Sequence, residues 1–450
     1  MKRLQTIISG LRVLGILLVV VSAGCEQILN HYLPFEVGSL LLRFSVLFLA
    51  LLFVCYFVDN RVPVKSRCWA FIGLVMLVAL PMIYVLNASH EWRPGVGLLP
   101  IEHWSFLPAS AYPPESLVSI WLGLGLASVI GSAVLLRTRH REFVLGCMVA
   151  VGFTLAVWVL CQRAIPRRYP IYEWTGWFIS RNHYAAFACL LFPVAFTSGI
   201  RIQRRAFYAG KLSSPAVLYY LAAAVLAFSV IESRSRAGMG ILLMQSLALI
   251  SGYGYHQKFI GQQFRRGFLV VAVMVLLGMV WVVGQRGNWS QVGDHLAFRG
   301  QVAGDTISMW RDNPWWGTGP RSYAAVFPYY QSEMLQGYYF HYAHNDPVQM
   351  LAEWGVLGIA ILMLGVLLIL QARHDSRRHI PVAFGCFRME CFGLNLALGG
   401  VLLHSLVDFP FQHTNILFLA ALWVGMLGRL CSSSPATAVD TAEAMDDVET

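Results

Sequence analysis

Residues 38–58 read GSLLLRFSVLFLALLFVCYFV, an apolar run in which Arg43 is the only charged residue. A run of this length crosses a bilayer core of roughly 30 Å, and it must be helical because lipid offers no partner for free backbone groups. Similar runs recur along the whole chain. They predict about twelve transmembrane helices, at residues 13–29, 38–58, 68–87, 117–136, 143–162, 183–200, 216–232, 237–254, 267–285, 347–371, 386–408 and 413–430.

The composition agrees with a chain whose main solvent is lipid. Hydrophobic residues make up 57% of the 450 residues and charged residues only 12%, and the mean hydropathy is +0.60. Soluble proteins carry roughly 25% charged residues. A large soluble protein would also need shorter apolar runs with polar faces. The sequence therefore predicts an all-α integral membrane protein.

The distribution of positive charge predicts the orientation. The net charge is +10, but the basic residues alternate with the spans instead of clustering, which argues against a nucleic-acid partner. With the N-terminus inside, most of the 33 lysines and arginines fall in cytoplasmic segments, so both termini are predicted to be cytoplasmic. Every basic residue of the outer segments is an arginine, a side chain suited to bidentate binding of phosphate.

A single transmembrane domain is predicted for residues 1–430, with a large periplasmic loop at 286–346 that contains short helices. The tail at 431–450 is rich in Ser, Ala and acidic residues, and it is predicted to be disordered and cytoplasmic. None of the nine cysteines lies in the large loop, so no disulfide framework is expected there. Ser22-Ala-Gly-Cys25 resembles the end of a lipoprotein signal, but Ser22 stands where a larger aliphatic residue is expected, so the first span is interpreted as a helix.

The large loop is predicted to have structure of its own. Residues 296–310 place apolar side chains at helical spacing, which predicts a short helix on the membrane surface. Pro314 ends this helix, because the residue before a proline is pushed towards an extended backbone. Gly317-Thr-Gly319 then predicts a tight turn. Arg311 and Arg321 flank the turn and are candidates for binding phosphate.

Residues 341–346, His-Tyr-Ala-His-Asn-Asp, form the densest polar cluster of the sequence. Asp346 is a suitable N-cap for the span that follows, and Pro347 suits its first turn. His344 and Asn345 are therefore expected just above a helix N-terminus, where free N–H groups and the helix dipole favour an anion.

The polar cluster allows three interpretations. His344 could accept a proton near neutral pH as a general base, or it could be an interfacial histidine bonded to the backbone, and spacing alone leaves both open. A metal site formed by His341, His344 and Asp346 is the third interpretation, but it lacks a recognised ligand pattern.

Other charged residues lie at the outer ends of spans. Arg181 opens the sixth span, and Arg234 and Arg236 lie in a very short connection between the seventh and eighth. Arginine at a membrane boundary either serves a function or extends its guanidinium to the interface. Since the latter two are two residues apart, only one of them need face a substrate. Glu353 lies two turns into the span after His344 and needs a partner, such as one of the arginines.

These residues resemble the core of the O-antigen ligase and polymerase superfamily. The resemblance rests on the runs RDNPWWGTG at 311–319, AHND at 343–346 and QMLAEWGVLG at 349–358. Weaker motifs of the family are similar to Arg181–His183, Ser233–Gly238 and His404–Pro410. The matched motifs cover roughly residues 181–410, and the first third of the chain is similar in hydropathy only.

The resemblance implies that a glycan is taken from undecaprenyl diphosphate on the periplasmic face of the bacterial inner membrane. A ligase passes the glycan to lipid A–core, which is the acceptor we favour, and a repeat polymerase passes it to a second lipid-linked glycan. A protein O-oligosaccharyltransferase is a further alternative. A transporter of lipid-linked glycan would be expected to have symmetric halves and charges at mid-membrane.

The resemblance also implies a metal-independent, inverting transfer without a cofactor. Metal-dependent membrane glycosyltransferases that use a lipid-phosphate sugar donor often carry acidic metal ligands in the first outer loop, which here offers only Glu36. His344 is the predicted catalytic residue. The residues predicted to bind diphosphate are Arg181, Arg234, Arg236, Arg311 and Arg321. The residues predicted to support the site are His341, Asn345, Asp346 and Glu353.

Overall fold

The structure is a computed structural model, which describes residues 2–32, 37–58, 63–93, 96–164, 175–210, 213–256, 292–371 and 384–431. These residues are mostly helical. The helices are α1 (Lys2–Tyr32), α2 (Val37–Val58), α3 (Val64–Leu86), α4 (Pro113–Val134), α5 (Thr138–Ala164), α6 (Arg181–Tyr208), α7 (Ala216–Glu232), α8 (Arg236–His256), α9 (Val292–Asp312), α10 (Tyr323–Val326), α11 (Asp346–Leu370), α12 (Phe384–Ser405) and α13 (Thr414–Cys431).

Seven helices of the described part are long and apolar enough to cross a membrane. Their candidate spans are Ile7–Glu26, Gly38–Phe57, Val64–Leu86, Pro113–Val134, Thr138–Gln162, Arg181–Tyr208 and Asp346–Leu370. Three shorter apolar helices are Ala216–Glu232, Arg236–Gly252 and Thr414–Leu430. The chain is therefore a helical membrane protein, as predicted. The predicted span 386–408 falls on α12, the predicted span 267–285 lies outside the described residues, and the number twelve stays a prediction.

The chain divides into two compact units. The first comprises Met1–Leu136, Arg286–Ala372 and Val401–Leu422, and the second comprises Arg137–Gln285, Arg373–Gly400 and Trp423–Thr450. Within the first unit, α3 packs on α4 and α11, and α9 packs on α11. Within the second, α6 packs on α7 and α8, and α5 packs on α7. The single domain proposed for 1–430 stays a prediction, and the tail from residue 432 lies outside the described residues.

The first unit contains a β-hairpin, which the all-α prediction did not include. Strands β1 (His90–Arg93) and β2 (Gly97–Pro100) are antiparallel, with Trp92 opposite Leu98. The Leu98 N–H donates to the Tyr329 hydroxyl at 3.3 Å. Strands of only four residues carry little strand signal in their own sequence. The contact with Tyr329, which comes from a distant segment, anchors the hairpin.

The helix predicted at 296–310 forms, and it extends over α9. It ends before Pro314, as expected from the geometry that proline imposes on the preceding residue. Its apolar face does not remain open for the membrane surface, because Val302 and Met309 are buried in a small hydrophobic core formed mostly by the loop. The other side chains of this core include Tyr323, Phe327, Leu335, Phe340 and Ala343.

Candidate functional site

The start of α11 is held by the segment that precedes α13. Asn345 is the N-cap, since its side-chain oxygen accepts from the Val348 N–H at 3.1 Å. The prediction that Asp346 is the N-cap is therefore wrong by one residue. The Asp346 carboxylate instead accepts from the Phe411 N–H at 2.9 Å and from the Gln412 amide at 3.3 Å. This carboxylate fixes the segment beside residues 344–346.

His344 lies directly above this helix start, and a buried carboxylate lies behind its ring. The imidazole Nδ1 is 3.4 Å from Oδ1 of Asp408, whose side chain is 3% exposed, whereas the His344 side chain is 34% exposed. The Phe409 ring contacts the imidazole edge-on at a centroid distance of 4.9 Å. A carboxylate at one ring nitrogen orients an imidazole and stabilises its protonated form, which is the arrangement of a general base with a positioning partner.

Sequence reasoning did not select Asp408 as a site residue. The signal was present, because Asp408 belongs to the motif His404–Pro410 that contributed to the family resemblance. Its position becomes evident only in the fold, where its backbone carbonyl also accepts from the Asp346 N–H at 3.3 Å.

We expect Asp408→Asn to lower transfer by about 10–10³-fold, because a neutral amide keeps the shape but cannot stabilise a protonated imidazole. The measurement is kcat, with the melting temperature as a check on folding. An unchanged rate would show that Asp408 has no role in positioning His344.

Helix α11 is broken at Gly355, and the Trp-Trp-Gly-Thr-Gly turn fills the break. The backbone of Gly355 has φ 63° and ψ 179°, a conformation that is essentially restricted to glycine. The turn donates from Thr318 and Gly319 to the Ala352 and Glu353 carbonyls at 2.9 and 2.8 Å. A Cβ at Gly317 would lie 2.5 Å from the Glu353 carbonyl carbon, so only glycine permits this approach. The turn in the motif at 311–319 thus pairs through its backbone with the broken helix in the motif at 349–358.

Glu353 was predicted to pair with an arginine, and it does contact Arg321, but through the backbone N–H of that residue. Its carboxylate accepts from the backbone N–H of Arg321, from the Tyr323 N–H at 3.2 Å and from the Gln349 amide at 3.2 Å. Gln349 in turn accepts from the Ala343 N–H at 3.0 Å. Glu353 and Gln349, which are buried near the start of α11, therefore bind the backbone of residues 321–323 and of Ala343.

The Arg321 side chain lies at a cavity of about 460 Å³ within the first unit. Its Nε is 3.5 Å from the Glu115 carboxylate, and it hydrogen-bonds the Tyr342 hydroxyl. Burial raises the pKa of Tyr342, and the Arg321 charge opposes that rise. His341 also lines the cavity, whereas Arg311 is exposed at the end of α9 and is not among the lining residues.

In the second unit, two of the weaker motifs meet. Arg181 is the first residue of α6, after the N-cap Ser180, and the neighbouring Asn182 accepts from the Ser235 hydroxyl at 2.9 Å. This bond ties the Arg-Asn-His motif to the connection between α7 and α8. In that connection Arg234 is exposed, as is Arg181, while Arg236 is half-buried at the start of α8.

Three predicted site residues have an unusual backbone. In the part of the chain that the structure describes, the non-glycine residues with positive φ are Arg234 (59°), Arg321 (60°) and His344 (54°). Such a conformation costs on the order of 1–3 kcal/mol and tends to occur where function requires it. All three had been selected from their sequence context alone.

The metal interpretation gains no support from the geometry. Among the described residues, no group of three or more His, Cys, Asp and Glu side chains is arranged to hold a metal ion. Metal independence of the reaction stays a prediction.

Comparison with known families agrees with the resemblance. Residues 221–363 match the family model of the O-antigen ligase. The resemblance to the O-antigen ligase and polymerase superfamily is confirmed over this region. The O-antigen ligase match contains Arg234, Arg236, Arg311, Arg321, His344 and Glu353, whereas Arg181 and Asp408 lie outside it. No curated protein matches the chain.

Proposed function

We propose that this protein transfers a glycan from undecaprenyl diphosphate to an acceptor hydroxyl on the periplasmic face of the bacterial inner membrane, with both termini in the cytoplasm. The observation that carries the proposal is the pair of His344 and Asp408 at the start of α11, in a chain whose residues 221–363 match the O-antigen ligase family. The favoured acceptor is lipid A–core. A second lipid-linked glycan is the alternative.

The reaction is a direct, inverting displacement. The acceptor oxygen forms a bond to the anomeric carbon of the donor glycan from the side opposite the diphosphate. The bond from that carbon to the diphosphate oxygen breaks, and undecaprenyl diphosphate leaves with the electron pair. The hydroxyl proton passes to His344, and Asp408 stabilises the resulting imidazolium.

The leaving diphosphate gains negative charge as the bond breaks, so cations placed against it lower the barrier. Arg181 and Arg234 are the proposed diphosphate-binding residues, because both are exposed arginines and Arg234 has a strained backbone. Arg236 and Arg311 are weaker candidates. Arg321 is less suited to diphosphate because Glu115 already faces its guanidinium.

Reconstituted transfer tests the proposal. The purified full-length protein in nanodiscs would be given lipid-linked glycan extracted from the producing bacterium, together with either lipid A–core or further lipid-linked glycan. Product on lipid A–core identifies a ligase, and elongated lipid-linked product identifies a polymerase. Transfer should survive excess chelator. Absence of product with either acceptor would contradict the proposed function.

Arg234→Lys should lower kcat by about 10–100-fold, since lysine keeps the charge but cannot make the planar, bidentate contact with a phosphate. The change leaves the cost of the left-handed backbone nearly the same, so lost rate reports on the guanidinium. The measurement is steady-state transfer, with Arg139→Lys as the control, because Arg139 is an exposed arginine at the predicted cytoplasmic end of α5. Wild-type kcat in Arg234→Lys would exclude the diphosphate role.

A further inference from the structure

The cavity beside Arg321 has a wall of aromatic rings. Trp92 comes from the hairpin, and Tyr329, Tyr339 and Tyr342 come from the large loop. Trp92 is 53% exposed although it belongs to a regular strand. Cross-strand partners point to the same face, so Trp92 and its partner Leu98 both face the cavity side of the hairpin.

The polar groups of the cavity are nearly balanced in charge. The Arg321 guanidinium faces the Glu115 carboxylate at 3.5 Å, and the buried Glu353 carboxylate lies in the same wall. One cation and two carboxylates disfavour a ligand as anionic as a diphosphate. They suit a neutral ligand with many hydroxyl groups, which can donate to carboxylates and accept from a guanidinium.

The cavity wall also reaches the proposed base. The Tyr342 ring, which lines the cavity, stacks on Phe409 at a centroid distance of 4.5 Å, and Phe409 contacts the His344 ring at 4.9 Å. Gln412, another lining residue, bonds the Asp346 carboxylate at 3.3 Å. A ligand in the cavity would thus lie on the same rigid frame that positions His344. The volume of about 460 Å³ falls within the usual range for small-molecule sites, roughly 300–1,000 Å³.

We propose that this cavity is a glycan subsite, in which the Trp92 ring packs against the face of a sugar and the Arg321–Glu115 pair binds hydroxyl groups at its edge. A pyranose presents C–H groups on its faces and hydroxyls around its rim, so aromatic faces and a charged pair together recognise it. The inference rests on the proposed function for the identity of the glycan. It assigns Arg321 to binding the sugar instead of the diphosphate, and it makes Trp92 and Glu115 specificity-determining residues.

The test uses the full-length protein in nanodiscs and four variants: Trp92→Ala, Trp92→Phe, Glu115→Gln and Trp104→Ala. Trp104 is the matched control, because it is also an exposed tryptophan of the same outer segment and does not line the cavity. Trp92→Ala and Glu115→Gln should each raise KM about tenfold for one glycan substrate, with kcat within about threefold of wild type. Trp92→Phe should restore most of the affinity, and Trp104→Ala should not change it.

Varying the donor and the acceptor separately shows which sugar the subsite holds, and a rise in KM for either supports the proposal. A wild-type KM for both substrates in Trp92→Ala and Glu115→Gln, or a loss confined to kcat, would overturn it. A binding experiment distinguishes failure of the subsite proposal from failure of the proposed function. Deacylated core oligosaccharide, and glycan released from the donor lipid, would be titrated calorimetrically into each protein. Binding that Trp92→Ala weakens supports the subsite even without transfer, and equal binding by wild type and Trp92→Ala, or no binding of either glycan, overturns it.

Discussion

His344→Ala is expected to lower transfer by about 10²–10⁴-fold, the usual contribution of a general base. The donor lipid should still bind, because the proposed diphosphate residues are arginines elsewhere in the chain. The measurements are transfer kinetics and binding of labelled lipid-diphosphate glycan.

The control is His103→Ala, which removes an exposed histidine of the outer segment before α4. It should leave both transfer and donor binding unchanged. The assignment of His344 as the base is wrong if His344→Ala abolishes donor binding or if it transfers at a rate close to wild type.

Gly355→Ala is expected to disrupt the site through the fold. A Cβ at this position would lie 2.3 Å from the Trp315 carbonyl oxygen, and the backbone conformation is itself costly for alanine. The turn must then leave the break in α11, and the segment that carries Arg321 loses its anchor on Glu353. We expect a loss of stability above about 3 kcal/mol together with loss of transfer. Thermal unfolding and transfer assays in nanodiscs measure both effects.

Gly304→Ala is the matched control, because Gly304 lies in a regular part of α9 and a Cβ there meets no atom within 4 Å. Alanine should stabilise this helix slightly. Equal melting temperatures for Gly355→Ala and Gly304→Ala would mean that the turn does not depend on the conformation of Gly355.

The sequence predicts the helices well, because lipid forces every long apolar run into a helix whatever surrounds it. The N-cap of α11 was misplaced because Asn345 and Asp346 are both good capping residues. Which of them caps is decided by Phe411 and Gln412, which take the Asp346 carboxylate. That competition comes from another part of the chain and leaves no local signal.

The candidate site was predicted only in part for the same reason. His344, Arg234 and Arg321 have local signals, such as a polar cluster at a span boundary or a very short connection. Asp408 belongs to a sequence motif, but nothing in that motif shows that it faces His344. Glu115 has no local signal, because its contact with Arg321 comes from a distant segment. An isolated arginine shows its charge in the sequence but not its partner, so the sequence does not indicate the contact between Arg321 and Glu115. The prediction that Arg321 binds diphosphate stays a prediction.

The turn that interrupts α11 also takes over its backbone pairing. In a continuous helix, Val356 and Leu357 would donate to the carbonyls of residues 352 and 353. Here those carbonyls accept from the turn, and the two amides donate to the Pro314 and Trp315 carbonyls, each at 3.0 Å. Two helical hydrogen bonds are exchanged for four, so the Ala352 and Glu353 carbonyls and the Val356 and Leu357 amides all stay paired, as a membrane helix requires. An isolated peptide of the α11 sequence would have no such partner and would form a continuous helix. Residues outside this membrane helix therefore determine its break, which forms only when the turn packs against it.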